Sequence, residues 1–315
     1  MHNILIVGLG NIGLRHLQSL KKYKQKLNFF LVDKNLKNLI DIKKKYSKSI
    51  HSFYIYDKII ELNKKINLLI ISTNSENRYE VCKDVISKNT IKNIILEKVV
   101  TSDLSKYKKL IKIIKIKKIK CYINFPRREL DFYKKLKNSI SNKNKITIIV
   151  NYKKINLGSN LIHYIDLFQY LKDSKEFYLL KNNLHKRVYR SKRKGFMEFK
   201  GSLIIKNDFD DKIIINENNS MHEYLMIQIN NKCYIIFDNY NYFINFNLND
   251  SKFIIKPYNE LLQSQLTLKY FKKILNNSYL NLTSLESAFY SHQIIINTFN
   301  KHLKKLSEKR KLLIT

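Results

Sequence analysis

The chain has 315 residues, with 60 lysines and arginines against 25 aspartates and glutamates, and three cysteines. That length suits two domains at about 150 residues each, with cores that need no cross-links; Cys82, Cys121 and Cys233, odd in number and without C-x-x-C spacing, exclude a disulfide scaffold and read as buried free thiols in a reducing cytoplasm. The formal net charge of +35 would suit a polyanion, but lysine, asparagine, isoleucine, tyrosine and phenylalanine are inflated together, Ala288 is the only alanine, and the lysines are spread along the whole chain; a solvated surface is expected, with no nucleic-acid partner.

The chain opens on an apolar run, Ile4 to Val7, that breaks into Gly8-Leu9-Gly10-Asn11-Ile12-Gly13. This is a G-x-G-x-x-G turn between a strand pattern and the helical pattern Ile12, Leu14, Leu17, Leu20. Gly8 serves the tight turn, Gly10 lets backbone approach a pyrophosphate, and Gly13 permits close packing of helix on strand, with the N–H groups at Asn11 and Ile12 aimed at the phosphates. A second strand pattern, 27–32, ends on Asp33, twenty residues past Gly13, where a carboxylate accepts the ribose hydroxyls of an adenosine. Its charge repels a 2′-phosphate, so NAD is expected over NADP, although Lys34 directly after it softens that preference.

Alternation continues with a helix over 36–46, a strand over 52–56 and a short helix over 58–64. The nearly all-apolar run 66–72 reads as a central parallel strand buried on both faces, and it delivers Ser72, Thr73 and Asn74 at its carboxyl end. A helix over 77–87, a strand over 91–96 that delivers Glu97 and Lys98, a helix over 104–116 and a strand over 119–123 complete a doubly wound parallel sheet by residue 124. The boundary is placed there, giving a Rossmann domain over 1–124 and an α+β domain over 125–315. Beyond Asn124-Phe125-Pro126-Arg127-Arg128 the apolar period becomes two, with strands over 145–152, 177–180, 202–206, 212–215, 224–229, 232–237, 242–247 and 253–256 forming a mostly antiparallel open sheet. Helices are expected over 130–139 and 160–171, and two more, 261–275 and 284–306, could pack back on the first domain. No apolar run reaches the eighteen or so residues of a membrane span and the start lacks a leader pattern, so the expectation is a cytoplasmic protein without a membrane partner.

Two residues stand out for chemistry. Lys98, at the carboxyl end of a buried strand, can trade a proton with a substrate hydroxyl. In Ser159-Asn160-Leu161-Ile162-His163-Tyr164-Ile165-Asp166, His163 and Asp166 fall on one helix face, as an acid–base pair or as an imidazole satisfied in an interface. No second histidine or cysteine stands at ligand spacing from His163, so no metal is expected. Arg127 and Arg128 read as a fork for substrate phosphate or carboxylate, or as a salt bridge between domains.

The glycine turn, Asp33, Thr73-Asn74, Glu97-Lys98, the 124–128 segment and the H-x-x-D helix occur in the order of the glucose-fructose oxidoreductase, inositol dehydrogenase and MocA (Gfo/Idh/MocA) family, which the chain resembles throughout. Ser264 to Thr267 and Leu282 to Ser287 also look like its members with sugar substrates. The resemblance implies an NAD(P)-dependent oxidoreductase acting on a hydroxyl-bearing carbon of a sugar or nucleotide-sugar, as in surface glycan synthesis, and a homo-oligomer (dimer or tetramer) formed through the open sheet. It implies a catalytic Lys98 and His163, a cofactor held by Gly8, Gly10, Asn11, Ile12, Gly13, Asp33, Ser72, Thr73, Asn74 and Glu97, and substrate contacts from Arg127, Arg128, Asn160 and Asp166. The chain departs from the family in three places: Val99 replaces a motif proline, Arg78 lies near a usual histidine, and Ser159 stands where many members carry an aspartate. These losses leave open a non-catalytic or regulatory NAD-binding protein of the same fold.

Overall fold

In the computed structural model, which describes residues 2–217, 222–250, 252–258 and 263–315, the chain divides into two compact units, Met1–Pro126 with Leu261–Glu286, and Arg127–Glu260 with Ser287–Thr315. The first holds six parallel strands, β1 (His2–Val7), β2 (Leu27–Val32), β3 (Ser52–Tyr56), β4 (Leu68–Ile71), β5 (Asn93–Leu96) and β6 (Lys120–Ile123), in the spatial order β3-β2-β1-β4-β5-β6. The intervening helices are α1 (Asn11–Leu20), α2 (Leu36–Lys45), α3 (Arg78–Lys88) and α4 (Leu104–Ile116). β4 and β5 are buried at every position, which is why their sequences are continuous rather than alternating apolar runs. Register brings Val7 level with Val32 and Ile71, Ile71 level with Leu96, and Leu96 level with Ile123.

The short helix expected over 58–64 does not form. The Asn89 side chain accepts from the Leu62 amide at 3.0 Å and donates to the Ile60 carbonyl at 3.0 Å, so this backbone is satisfied by a distant amide and forms neither helix nor strand. A lone bridge joins Ile66 to Ile91 ahead of β4 and β5.

The second unit contains α5 (Asp131–Asn138), β7 (Ile146–Tyr152), α6 (Leu157–Lys172), β8 (Phe177–Leu184), β9 (Tyr189–Arg190), β10 (Met197–Glu198), β11 (Gly201–Asn207), β12 (Lys212–Glu217), β13 (Tyr224–Ile229), β14 (Lys232–Phe237), β15 (Tyr242–Asn247) and β16 (Phe253–Pro257). Eight of these strands form one sheet in the order β16-β15-β14-β13-β7-β12-β11-β8, antiparallel except where β7 pairs with β12. Burial alternates along β7, β11, β12 and β13. Phe132 of α5 meets Tyr234 and Phe243, and Tyr164 and Phe168 of α6 meet Tyr152 and Phe177, so these helices lie on one face.

The last helices divide between the units. Leu266, Tyr270, Phe271 and Ile274 of α7 (Gln263–Leu275) join the cluster built by Leu17, Leu20, Leu27 and Phe29. Each such side chain gains about 1.5–3 kcal/mol by leaving water, which holds this late segment to the first unit. β17 (Thr283–Ser284) then adds antiparallel to β6. α8 (Leu285–Lys305) runs on into the second unit, where Phe299 stacks on Phe199 at 4.1 Å.

Candidate active site

In the first unit, the residue just past each central strand lies in one row, because the parallel register aligns the strand ends: Gly8, Asp33, Ser72, Glu97 and Asn124. The carboxyl edge of a doubly wound sheet is where such folds bind ligands. Gly8 has φ +90°, and a Cβ there would stand 3.0 Å from Ser72 and Thr73 backbone atoms. A Cβ on Gly13 would sit 1.9 Å from the Gly8 carbonyl oxygen, whereas Gly10 faces open space. The three glycines therefore serve turn, open approach and close packing, as their spacing suggests. Gly10 N-caps α1 without a side-chain hydrogen bond and the first turn carries no acid, leaving the N–H groups at Asn11 and Ile12 without an intrahelical partner.

Asp33 fastens this turn from β2. Its Oδ2 accepts the Leu9 amide at 2.5 Å and its Oδ1 the Asn35 amide at 2.9 Å, while Asn38 donates to the Leu9 carbonyl at 3.0 Å. Ser72 donates to the Gly8 carbonyl at 2.8 Å. The Thr73 hydroxyl oxygen is buried with no partner, and Asn74 is exposed beside it. An open glycine approach, uncapped helix N–H groups and an orphaned hydroxyl fit a dinucleotide.

Glu97 sits in a buried polar network that sequence reading missed. The His16 imidazole, fully buried on α1, donates from Nε2 to Glu97 Oε1 at 3.0 Å, while its Nδ1 meets the Thr267 hydroxyl of α7 at 2.8 Å. Asn124 donates to the same Glu97 oxygen at 2.5 Å. Burial pushes the Glu97 carboxyl up, but the His16 and Asn124 bonds with the nearby Arg78 charge outweigh it and hold it below the usual carboxylate range. Lys98 follows, half-buried; the Lys98–Val99 peptide is cis.

In the second unit His163 is half-buried on α6. Asp166, 1% exposed, accepts from Arg128 Nε and Nη2, both at 2.8 Å. Both residues lie in the second unit, where they neutralise each other in its interior. Arg127 is half-buried, its guanidinium 4.8 Å above the Tyr164 ring. Asn160 donates to the Ile155 carbonyl at 2.6 Å. At Ser159, where the resemblance lacks its aspartate, a carboxylate is supplied from β10: Glu198 accepts the Ser159 amide at 3.2 Å and its hydroxyl. A strand 39 residues further on carries it, so helix spacing could not reveal it.

Close by, Glu217 accepts the Asn156 amide at 3.1 Å. Burial pushes its carboxyl up to about 7, against the Lys200 charge. The folded state thus keeps a proton that the unfolded chain releases near 4.5. Stability is full below that value and falls as pH rises towards 7. Glu217→Gln removes the loss: it should stabilise the protein at pH 8 by at most about 3 kcal/mol and flatten the profile between pH 5 and 7. Urea melts across that range check it.

All three cysteines are free and buried, and burial pushes the Cys82 thiol up to about 12, in keeping with inert thiols. Among the described residues there is no group of three histidine, cysteine or acidic side chains that could hold a metal, and no helix is long and apolar enough to cross a membrane.

A glycine-turned doubly wound sheet joined to a mixed eight-stranded sheet defines a class, the two-domain fold of NAD(P)-binding oxidoreductases. Residues 2–125 match the family model GFO_IDH_MocA, described as oxidoreductase family, NAD-binding Rossmann fold. Over those residues the chain resembles the Gfo/Idh/MocA family, and its fold throughout is that of solved members of that family. Similar solved structures include an oxidoreductase from Agrobacterium radiobacter in complex with NAD+, L-tartaric acid and magnesium (TM-score 0.72, 11% identity, 96% of this chain and 97% of that one). Others are the super-repressor mutant of Gal80p from Saccharomyces cerevisiae (0.72, 12%, 96% and 96%) and UDP-N-acetylglucosamine 3-dehydrogenase GnnA from Acidithiobacillus ferrooxidans (0.69, 10%, 95% and 97%). The chain is also 27% identical over 290 residues to Protein Ycf2 of Physcomitrium patens, spanning 12% of that relative's length.

Proposed function

We propose that the protein is an NAD-dependent oxidoreductase acting on a hydroxyl-bearing carbon of a sugar or nucleotide-sugar. The observation that carries this is the row of Gly8, Asp33, Ser72 and Glu97 at one sheet edge, with Lys98 directly after it. Gly8, Gly10, Asn11, Ile12, Gly13, Asp33, Ser72, Thr73 and Asn74 would hold the cofactor, and Glu97 supports them from beneath through His16 and Asn124. The nicotinamide, when bound, supplies a hydride acceptor or donor. Lys98 takes or returns the proton of the substrate hydroxyl; His163 orients the substrate or shares that proton, and Arg127 and Asn160 bind its polar groups. Likeness to a UDP-N-acetylglucosamine dehydrogenase favours a nucleotide-sugar. The test is turnover of NAD+ or NADH with a panel of UDP-sugars. Tight NADH binding without turnover on any of them would instead support a regulatory role, which the likeness to a Gal80p super-repressor and the lost motif proline favour.

Asp33 underlies the cofactor choice. NADH should bind more tightly than NADPH, and Asp33→Ala should narrow the gap; a fluorescence titration in which wild type prefers NADPH tenfold would remove that role.

Oligomerisation through the open sheet is part of the same reading. On the face opposite α5 and α6, Ile204, Ile214, Ile149, Met226, Ile235, Ile244 and Ile255 are cross-strand partners in series, an apolar stripe of the kind that marks interfaces. Sedimentation equilibrium should return a dimer or tetramer of the 37.8 kDa chain.

A further inference from the structure

Arg78 opens α3 and is 2% exposed. A guanidinium so deeply placed is expensive unless its donors are taken, and here three carbonyls accept from its two terminal nitrogens. Nη1 donates to the Glu97 carbonyl at 2.6 Å and to the Val99 carbonyl. Nη2 donates to the Thr73 carbonyl. Glu97 and Val99 are the residues on either side of Lys98, and Thr73 follows β4, the neighbouring strand. One planar fork therefore ties both flanks of Lys98 to the end of the adjacent strand.

We propose that Arg78 is a positioning residue, whose buried guanidinium fixes the backbone on both sides of Lys98 and so sets where the lysine amine stands. This rests on the role proposed for Lys98. The separation of its three acceptors also explains the choice of arginine: a fixed fork reaches several carbonyls at once, whereas a lysine presents one point of charge.

The test compares Arg78→Met and Arg78→Lys with Val85→Ala, a cavity variant in the same helix, at a fully buried position. The probe is acetylation of Lys98 by a limiting N-hydroxysuccinimide ester, resolved by peptide mass spectrometry and normalised to exposed Lys88, alongside NADH titration and thermal melts. Arg78→Met should raise Lys98 labelling about threefold or more by freeing its loop, with Arg78→Lys in between, while Val85→Ala at a comparable melting loss leaves it unchanged. NADH affinity should change little. Equal labelling in Arg78→Met and wild type, or an equal rise in Val85→Ala, overturns the proposal; if Arg78→Met does not fold, Arg78→Lys against Val85→Ala decides in the same way. Retained turnover in Lys98→Met would overturn the role of Lys98 without altering the labelling result, so the two failures are distinguishable.

Discussion

Lys98→Met should lower kcat by about 10²- to 10⁴-fold, the usual loss when a general acid–base group is removed, while NADH affinity stays near that of wild type. Methionine keeps the length and apolar stem of the half-buried lysine and removes only its proton carrier. The glycine turn and Asp33, bonded to each other through Leu9, are untouched, so binding and chemistry separate in this variant. His163→Asn should be milder if the imidazole only orients substrate, and comparable if it carries the proton. Near wild-type turnover in Lys98→Met would remove the mechanism.

Arg128→Met should cost about 3–5 kcal/mol of stability, because it strands a buried carboxylate. Asp166 is 1% exposed and gives an oxygen to each arm of the Arg128 fork at 2.8 Å. Burial and bidentate geometry lift this pair above surface ion pairs. Arg128→Lys should recover part of the loss, since a single ammonium cannot match both oxygens. Arg128→Met with Asp166→Leu should recover most of it, since neither charge is then left alone. A urea-denaturation double-mutant cycle measures these values; coupling below about 1 kcal/mol would show the pair to be inert.

The order of residues carries the short-range half of this fold. Three glycines with an aspartate twenty residues on, and the apolar runs Leu68–Ile71 and Ile94–Leu96, are short-range signals in which each residue type answers a constraint set by its own neighbours. They sufficed for the parallel sheet, the glycine turn and the edge that presents Lys98. The alternating period beyond residue 145 sufficed for the second sheet in the same way, since a strand with one buried face must alternate whatever it packs against.

What tertiary structure decided are pairings between groups far apart in the chain. His16 finds Glu97 81 residues on and Thr267 251 residues on; Arg128 finds Asp166, and Ser159 finds Glu198. The lost helix over 58–64 and the return of α7 to the first unit have the same origin. A buried donor, acceptor or apolar stripe must be satisfied by whatever the fold brings within reach, and this partner leaves no mark at any fixed spacing. Sequence by itself thus determined the sheets and the residues at their edges. The tertiary fold decided which of those residues are spent on one another, as Arg128 and Asp166 are, and which stay open, as Gly10 faces open space and the Thr73 hydroxyl is buried without a hydrogen-bond partner.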